Sequence, residues 1–257
     1  MKALVTILLI LSSVSLTDLP DLKDPTIVKL NDTLYAGISE VTVSQWKQFL
    51  FESQKVAPIS NVEFRSFEKD SLYWQSASKR YGEVSSDFFL NPEYSMCPVV
   101  GISYEEAVAF CDWINLKVRS KFKNGYQYTY RLPTESEWEY IASCEKKTGK
   151  NKKKQSEIYN TSDRVINESI LTKKFQQKSY CCNSDFQLLN IYDSYKNECG
   201  LVHIKGNVSE MVQEKNIAKG GSFKHTFLEC DWSNRQSYSE PELWVGFRYV
   251  VIKKQGK

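Results

Sequence analysis

Three times along the chain a Ser or Thr stands three residues ahead of a Gln or Glu at the head of a helical apolar pattern: Thr42 with Gln45, Ser103 with Glu106, and Thr134 with Glu137. At that spacing the hydroxyl accepts from the backbone N–H of the third helical residue, whose own side chain returns a bond to the cap. Each pair therefore fixes where a helix begins. Behind the caps, Trp46, Phe49 and Leu50, then Ala107, Phe110, Cys111 and Ile114, then Trp138, Ile141 and Ala142 fall on one helical face. Between the second and third helices Tyr126, Tyr128, Tyr130 and Leu132 alternate with Gln127, Thr129 and Arg131, a half-buried strand stopped by Pro133. Leu243 to Ile252 reads as a second strand with Gly246 inside it.

Short amphipathic helices must pack on something larger, and the chain is long enough to supply it: 257 residues, 41% hydrophobic and 25% charged. No internal repeat or Pro-rich linker divides it, so one domain over 17–257 is the expectation. Residues of about 145–190 open on a run of lysines without sustained periodicity and read as a variable solvated loop. The formal charge of +3, from 34 basic and 31 acidic residues, is too balanced to grip a phosphate backbone over many contacts. Nucleic acid is not an expected partner. Only two His are present, so a three-His zinc site cannot be built from this chain alone.

Residues 1–16 read as a signal peptide: Lys2, an apolar run from Ala3 to Leu11, then small residues at Ser13 and Ser15. The run is about half of the roughly 20 residues that span a bilayer. The expectation is a secreted, periplasmic or otherwise extracytoplasmic protein with no membrane span after cleavage. No Cys follows the run until Cys97, so a lipid-attachment Cys is missing. Seven Cys in an oxidising compartment imply disulfides whose connectivity spacing does not reveal, and an odd count leaves at least one thiol over. No C-x-x-C pair occurs. Four N-x-[ST] sequons begin at Asn31, Asn160, Asn167 and Asn207, and matter only in a glycosylating host.

Four segments in order resemble the sulfatase-modifying factor, or formylglycine-generating enzyme, family. They are Glu40-Val41-Thr42 with Trp46 and Phe49; Pro98 to Cys111 continuing into Tyr130-Arg131-Leu132-Pro133-Thr134-Glu135-Ser136-Glu137-Trp138-Glu139-Tyr140; Gly200-Leu201 with Gly206-Asn207-Val208-Ser209-Glu210; and Gly220-Gly221-Ser222-Phe223 with Gly246-Phe247-Arg248. The resemblance covers roughly residues 30 to 251. It implies an α+β, C-type-lectin-like fold, rich in loops and short strands. Locally, the Arg131–Tyr140 block is a strand, a stop and a capped helix, which is scaffold, and Gly246-Phe247-Arg248 reads as core strand with a buried Arg pair.

Active members of the family oxidise a peptidyl Cys in a sulfatase with dioxygen, using Cu(I) held by two Cys thiolates, ligands whose softness suits that ion. The resemblance places His225 where the first Cys stands and Cys230 at the second, and retains Ser222. Cys230 also fits a C-R-x-x-x-R-like spacing toward Arg235 found in members without a catalytic pair. The Trp positions after G-N-V are Ser209 and Met211. For calcium, the resemblance implies carbonyls of Gly206 and Val208 and the Glu210 carboxylate, with His203 in place of an upstream Asp or Asn. Two functions stay open. One is a catalytically degenerate binding or assembly module whose partner is a protein or peptide, a sulfatase, a cell-surface complex, or carbohydrate; the other is a metal-dependent oxidase acting on a peptidyl Cys, with His225, Cys230 and Ser222 as its site. The related sulfoxide synthases need more His than this chain has.

Overall fold

The computed structural model describes residues 26–53, 88–119, 125–144, 188–192, 196–225 and 229–255. The proposed leader and most of the Lys-rich stretch lie outside the described residues. All three capping boxes close reciprocally. Thr42, Ser103 and Thr134 hydroxyls accept from Gln45, Glu106 and Glu137 N–H groups at 3.2 Å each, and the returning carboxyl or amide oxygens lie 2.9, 2.7 and 2.9 Å from the cap N–H groups. They start α1 (Val43–Ser53), α2 (Tyr104–Arg119) and α3 (Glu135–Ala142).

Among the described residues two four-stranded sheets carry these helices. The first holds β1 (Ile27–Lys29), β2 (Leu34–Gly37), β3 (Tyr126–Arg131) and β8 (Val250–Gln255), antiparallel in the order β1-β2-β8-β3. The second holds β4 (Ser209–Met211), β5 (Ile217–Lys219), β6 (Gln236–Ser237) and β7 (Val245–Gly246) in the order β6-β5-β4-β7, with β4 and β7 parallel. The outcome is a loop-rich α+β fold, as expected. Trp46, Phe49, Phe110, Trp113, Phe247 and Tyr249 form its aromatic centre, with ring centroids 5.0 to 6.5 Å apart in the packed pairs. Rings at these separations add directional attraction to the area they bury.

One expected element differs. Leu243 to Ile252 is not a single strand but β7 in one sheet and β8 in the other, joined through Phe247–Tyr249. Arg248 accounts for the break. Its fully buried guanidinium donates to the carbonyls of Gly37 and Val202, both at 2.8 Å, and to Glu210, and aiming it inward takes the chain out of strand pairing. At the open edge of β3, Asn115 of α2 donates to the Tyr130 carbonyl at 2.8 Å and accepts from its N–H at 2.7 Å. The Arg131 guanidinium grips Glu137 with two bonds of 2.6 and 2.7 Å, joining the end of β3 to the start of α3. The Arg131–Tyr140 block is thus scaffold, as its local pattern implied.

Candidate functional site

The Gly220–Gly221 bend places its two glycines at φ 88° and 67°, and the turn after it carries Ser222 to His225. His225 N–H donates to the Ser222 carbonyl at 2.9 Å, which closes the turn through the backbone. The side chain closes it again. His225 Nδ1 accepts from the Ser222 N–H at 2.9 Å and lies 2.8 Å from Ser222 Oγ. A backbone N–H can donate only to an unprotonated ring nitrogen, so the imidazole is neutral with its proton on Nε2. Burial, with the Lys224 ammonium beside it, holds the imidazole down to about 4 against the pull of Glu229. Its ring meets Trp244 edge-on at 5.1 Å, and the Lys224 ammonium sits 3.6 Å over the same Trp.

Ser222 and His225 are at the spacing of a nucleophile and its base. Three features argue against that use: Ser222 is fully buried, the Nδ1 lone pair is shared with a backbone amide, and the imidazole is a weak base. The pair is a clasp for the turn. Cys230 is disulfide-bonded and fully buried. It packs on the bend so closely that a Cβ on Gly221 would lie 2.3 Å from its Sγ. Gln236 ties the same region together, accepting from the Gly221 N–H at 3.2 Å and donating to the Glu229 carbonyl at 2.8 Å.

The three residues implied as catalytic therefore surround one bend, with Ser222 and His225 in direct contact and Cys230 behind Gly221. They do not fit Cu(I). The thiolate pair that suits this ion is missing, because Cys230 is in a disulfide and an imidazole with Nδ1 engaged by Ser222 stands at the other position. In the native protein Cys230 should resist alkylation and become reactive only after reduction; labelling without reductant, read by peptide mass, would show a free thiol.

The residues implied for calcium lie in the same buried region, and Glu210 meets protein partners there. Glu210 lies in β4 and is 1% exposed. Arg248 Nη2 and Nε reach Oε1 at 2.7 and 3.1 Å, and Oε2 accepts from Arg248 Nε at 3.1 Å and Trp138 Nε1 at 2.7 Å. Both carboxylate oxygens of Glu210 are thus engaged by Arg248, and Oε2 by Trp138 as well. Val208 and Gly206 flank Asn207, whose side chain faces Glu40 and Leu189 instead of solvent. His203 is buried, with Nε2 3.2 Å from the Asn190 carbonyl. Among the described residues no group of three or more His, Cys, Asp or Glu could hold a metal. Asn207 is buried and so is no folded-state glycosylation site, whereas Asn31 is exposed in the β1–β2 turn.

Cys144 and Cys199 form a second disulfide, and Cys97 and Cys111 are both buried. Burial pushes the Cys111 thiol far above its ordinary range, so it is not a nucleophile. Sequence reading missed the roles of Glu40, Asn207, Gln236 and Trp244. Glu40 and Asn207 appear within quoted motifs, but nothing in their spacing signals that they meet.

Residues 22–253 match the family model described as the sulfatase-modifying factor enzyme 1-like domain. An uncharacterized protein of Borreliella burgdorferi is 24% identical over 241 residues, covering 88% of this chain and 41% of that protein. The chain thus spans less than half the length of this relative. Among solved structures, CarF aligns with a TM-score of 0.46 at 17% identity, over 87% of this chain and 92% of its own. PvdO from Pseudomonas aeruginosa aligns at 0.39 and 15% identity, over 62% of this chain and 63% of its own. No helix among the described residues is long and apolar enough to cross a membrane. With the family match spanning almost the whole length, the chain belongs to the sulfatase-modifying factor, or formylglycine-generating enzyme-like, domain family.

Proposed function

We propose that this protein is an exported, catalytically degenerate formylglycine-generating-enzyme-like module that binds or helps assemble another protein or peptide outside the cytoplasm. The observation that carries this reading is that Cys230 is spent in a disulfide while His225 spends its Nδ1 on Ser222. The two positions at which active relatives present thiolates here close a turn and cross-link the chain. A fold routinely outlives the chemistry of its site. Export is supported by the Lys2–Ser15 pattern and by paired cysteines, which persist in oxidising compartments.

The test is a turnover assay with purified protein, Cu(I), oxygen and a peptide bearing a sulfatase-type Cys, read by mass for conversion to the aldehyde. Neither turnover nor stoichiometric copper binding is expected. Turnover that disappears in Cys230→Ser would overturn the proposal in favour of an oxidase.

A further inference from the structure

Cys144–Cys199 and the Cys230 disulfide differ in what covers them. Cys230 is fully buried behind Gly221, whereas Cys144 and Cys199 are both partly exposed, their Cα atoms 6.1 Å apart across a sequence separation of 55. A reductant must bring a thiolate up to a disulfide sulfur, so access decides which bond is attacked first.

Both sides of Cys144–Cys199 are also held without sulfur. Asn197 organises the turn that carries Cys199: its Oδ1 accepts from the Cys199 and Leu201 N–H groups at 3.0 and 2.9 Å. Its N–H donates to the Leu201 carbonyl and its carbonyl accepts from the Gly200 N–H, both at 2.8 Å. Leu201, 1% exposed, packs with Ile141 of α3 in an apolar cluster completed by Leu34, Ala36 and Val250. The head of α3 keeps its capping box and two ion pairs, Glu135 with Arg235 and Glu139 with Lys219. Turn and helix therefore stay seated when the sulfur bond is broken.

The last turn of α3 has less support. The helix is eight residues long with no basic side chain near its final carbonyls, so it is too short to be stable alone and no cation offsets the negative end of its dipole. Tyr140 is 46% exposed and adds little packing there. The hydrogen bonds of Ser143 and Cys144 run back into that same turn, to the carbonyls of Glu139, Tyr140 and Ile141. What ties these two residues to the rest of the molecule is the bond to Cys199.

We propose that Cys144–Cys199 is a redox-sensitive switch for the end of α3: a dithiol reductant opens it with the fold intact, and the helix then frays beyond Ile141. One thiolate of the reductant attacks a sulfur of the pair, the Cys144–Cys199 bond breaks, and the displaced sulfur leaves as a thiolate that takes up a proton. The reductant's second thiol then resolves the mixed disulfide, so the dithiol departs oxidised and both cysteines are left reduced. An oxidising compartment closes the pair again.

The test is a titration of the full chain with dithiothreitol, quenched with iodoacetamide, mapped by peptide mass and paired with amide hydrogen exchange. Cys144 and Cys199 are expected to be alkylated at reductant levels that leave Cys230 unmodified. A single melting transition should persist, lowered on the order of 10 °C. In that state the Ser143 and Cys144 amides should lose protection while the Trp138 amide, bonded to the Thr134 carbonyl at 2.9 Å, keeps it. Removing the reductant should restore both. Cys144→Ala combined with Cys199→Ala should show the opened pattern with no reductant present. Reduction of Cys230 before or together with the pair, loss of the melting transition on opening, or unchanged exchange at Ser143 overturns the switch. A double variant that does not fold overturns it too, because the contacts of Asn197, Leu201 and Ile141 are then insufficient. None of these readouts involves copper or a partner, so the switch and the degenerate-module reading fail separately.

Discussion

Arg248→Ala should destabilise the protein by on the order of 5 kcal/mol, a large share of the 5–15 kcal/mol typical of a folded domain. The guanidinium is fully buried against a carboxylate that is 1% exposed. Removing it leaves the Glu210 charge without its counter-ion and orphans the Gly37 and Val202 carbonyls, each of which carries its own desolvation cost. Lysine would not substitute well, because one ammonium cannot span three acceptors set around a planar fork. Replacing both charges, as in Arg248→Met with Glu210→Met, should cost less than Arg248→Ala alone, since no buried charge is then left unpaired. Urea unfolding of the three proteins checks this. A loss under about 1 kcal/mol for Arg248→Ala, the size of an exposed pair, would mean that the pair does not hold the two sheets together.

The second large effect is expected at Gly221. An added Cβ would sit 2.3 Å from Cys230 Sγ and 2.9 Å from Cys230 Cα, and the residue is at φ 67°. The Cα belongs to backbone that cannot swing aside, so Gly221→Ala must displace either the bend or the disulfide-bonded Cys230. A cost of about 3 kcal/mol or more is expected, together with faster reduction of the Cys230 disulfide. Gly125→Ala is the control. Gly125 has nearly the same φ, 71°, with nothing within 4 Å of the added carbon, so it should lose only about 1 kcal/mol for the left-handed backbone. Equal losses at the two sites would remove close packing as the reason for glycine at 221.

What was legible in the sequence is what local physics determines. A hydroxyl and a carboxyl or amide three residues apart carry the whole instruction for a helix start, and all three starts were found where Thr42, Ser103 and Thr134 place them. Alternation gave the strand before Pro133 for the same reason. The Leu243–Ile252 run was misread because its hydrophobicity suits two buried strands as well as one, and only the inward turn of Arg248, set by partners 38 to 211 residues away, separates them. At the site, motif order brought Ser222, His225 and Cys230 to one bend, but Cys spacing does not encode pairing, and Cys230 was left open between metal ligand and disulfide half. For Glu210 the sequence offers a carboxylate that suits calcium or arginine equally well and carries no sign of the buried partners it meets. Those partners are Trp138 and Arg248, which reach it from distant parts of the chain.

Asn115 gives the first sheet a boundary. Its side-chain amide presents a donor and an acceptor to Tyr130 in the way the backbone of a neighbouring strand would, so α2 acts there as a one-residue counterfeit strand. A strand from another molecule approaching β3 finds that rung already filled and cannot zip along the ladder past it. For a protein whose proposed work is to dock on partners, this is a means of staying selective: backbone pairing, which any extended peptide can offer, is refused at that rung, and recognition is left to surfaces where side chains discriminate.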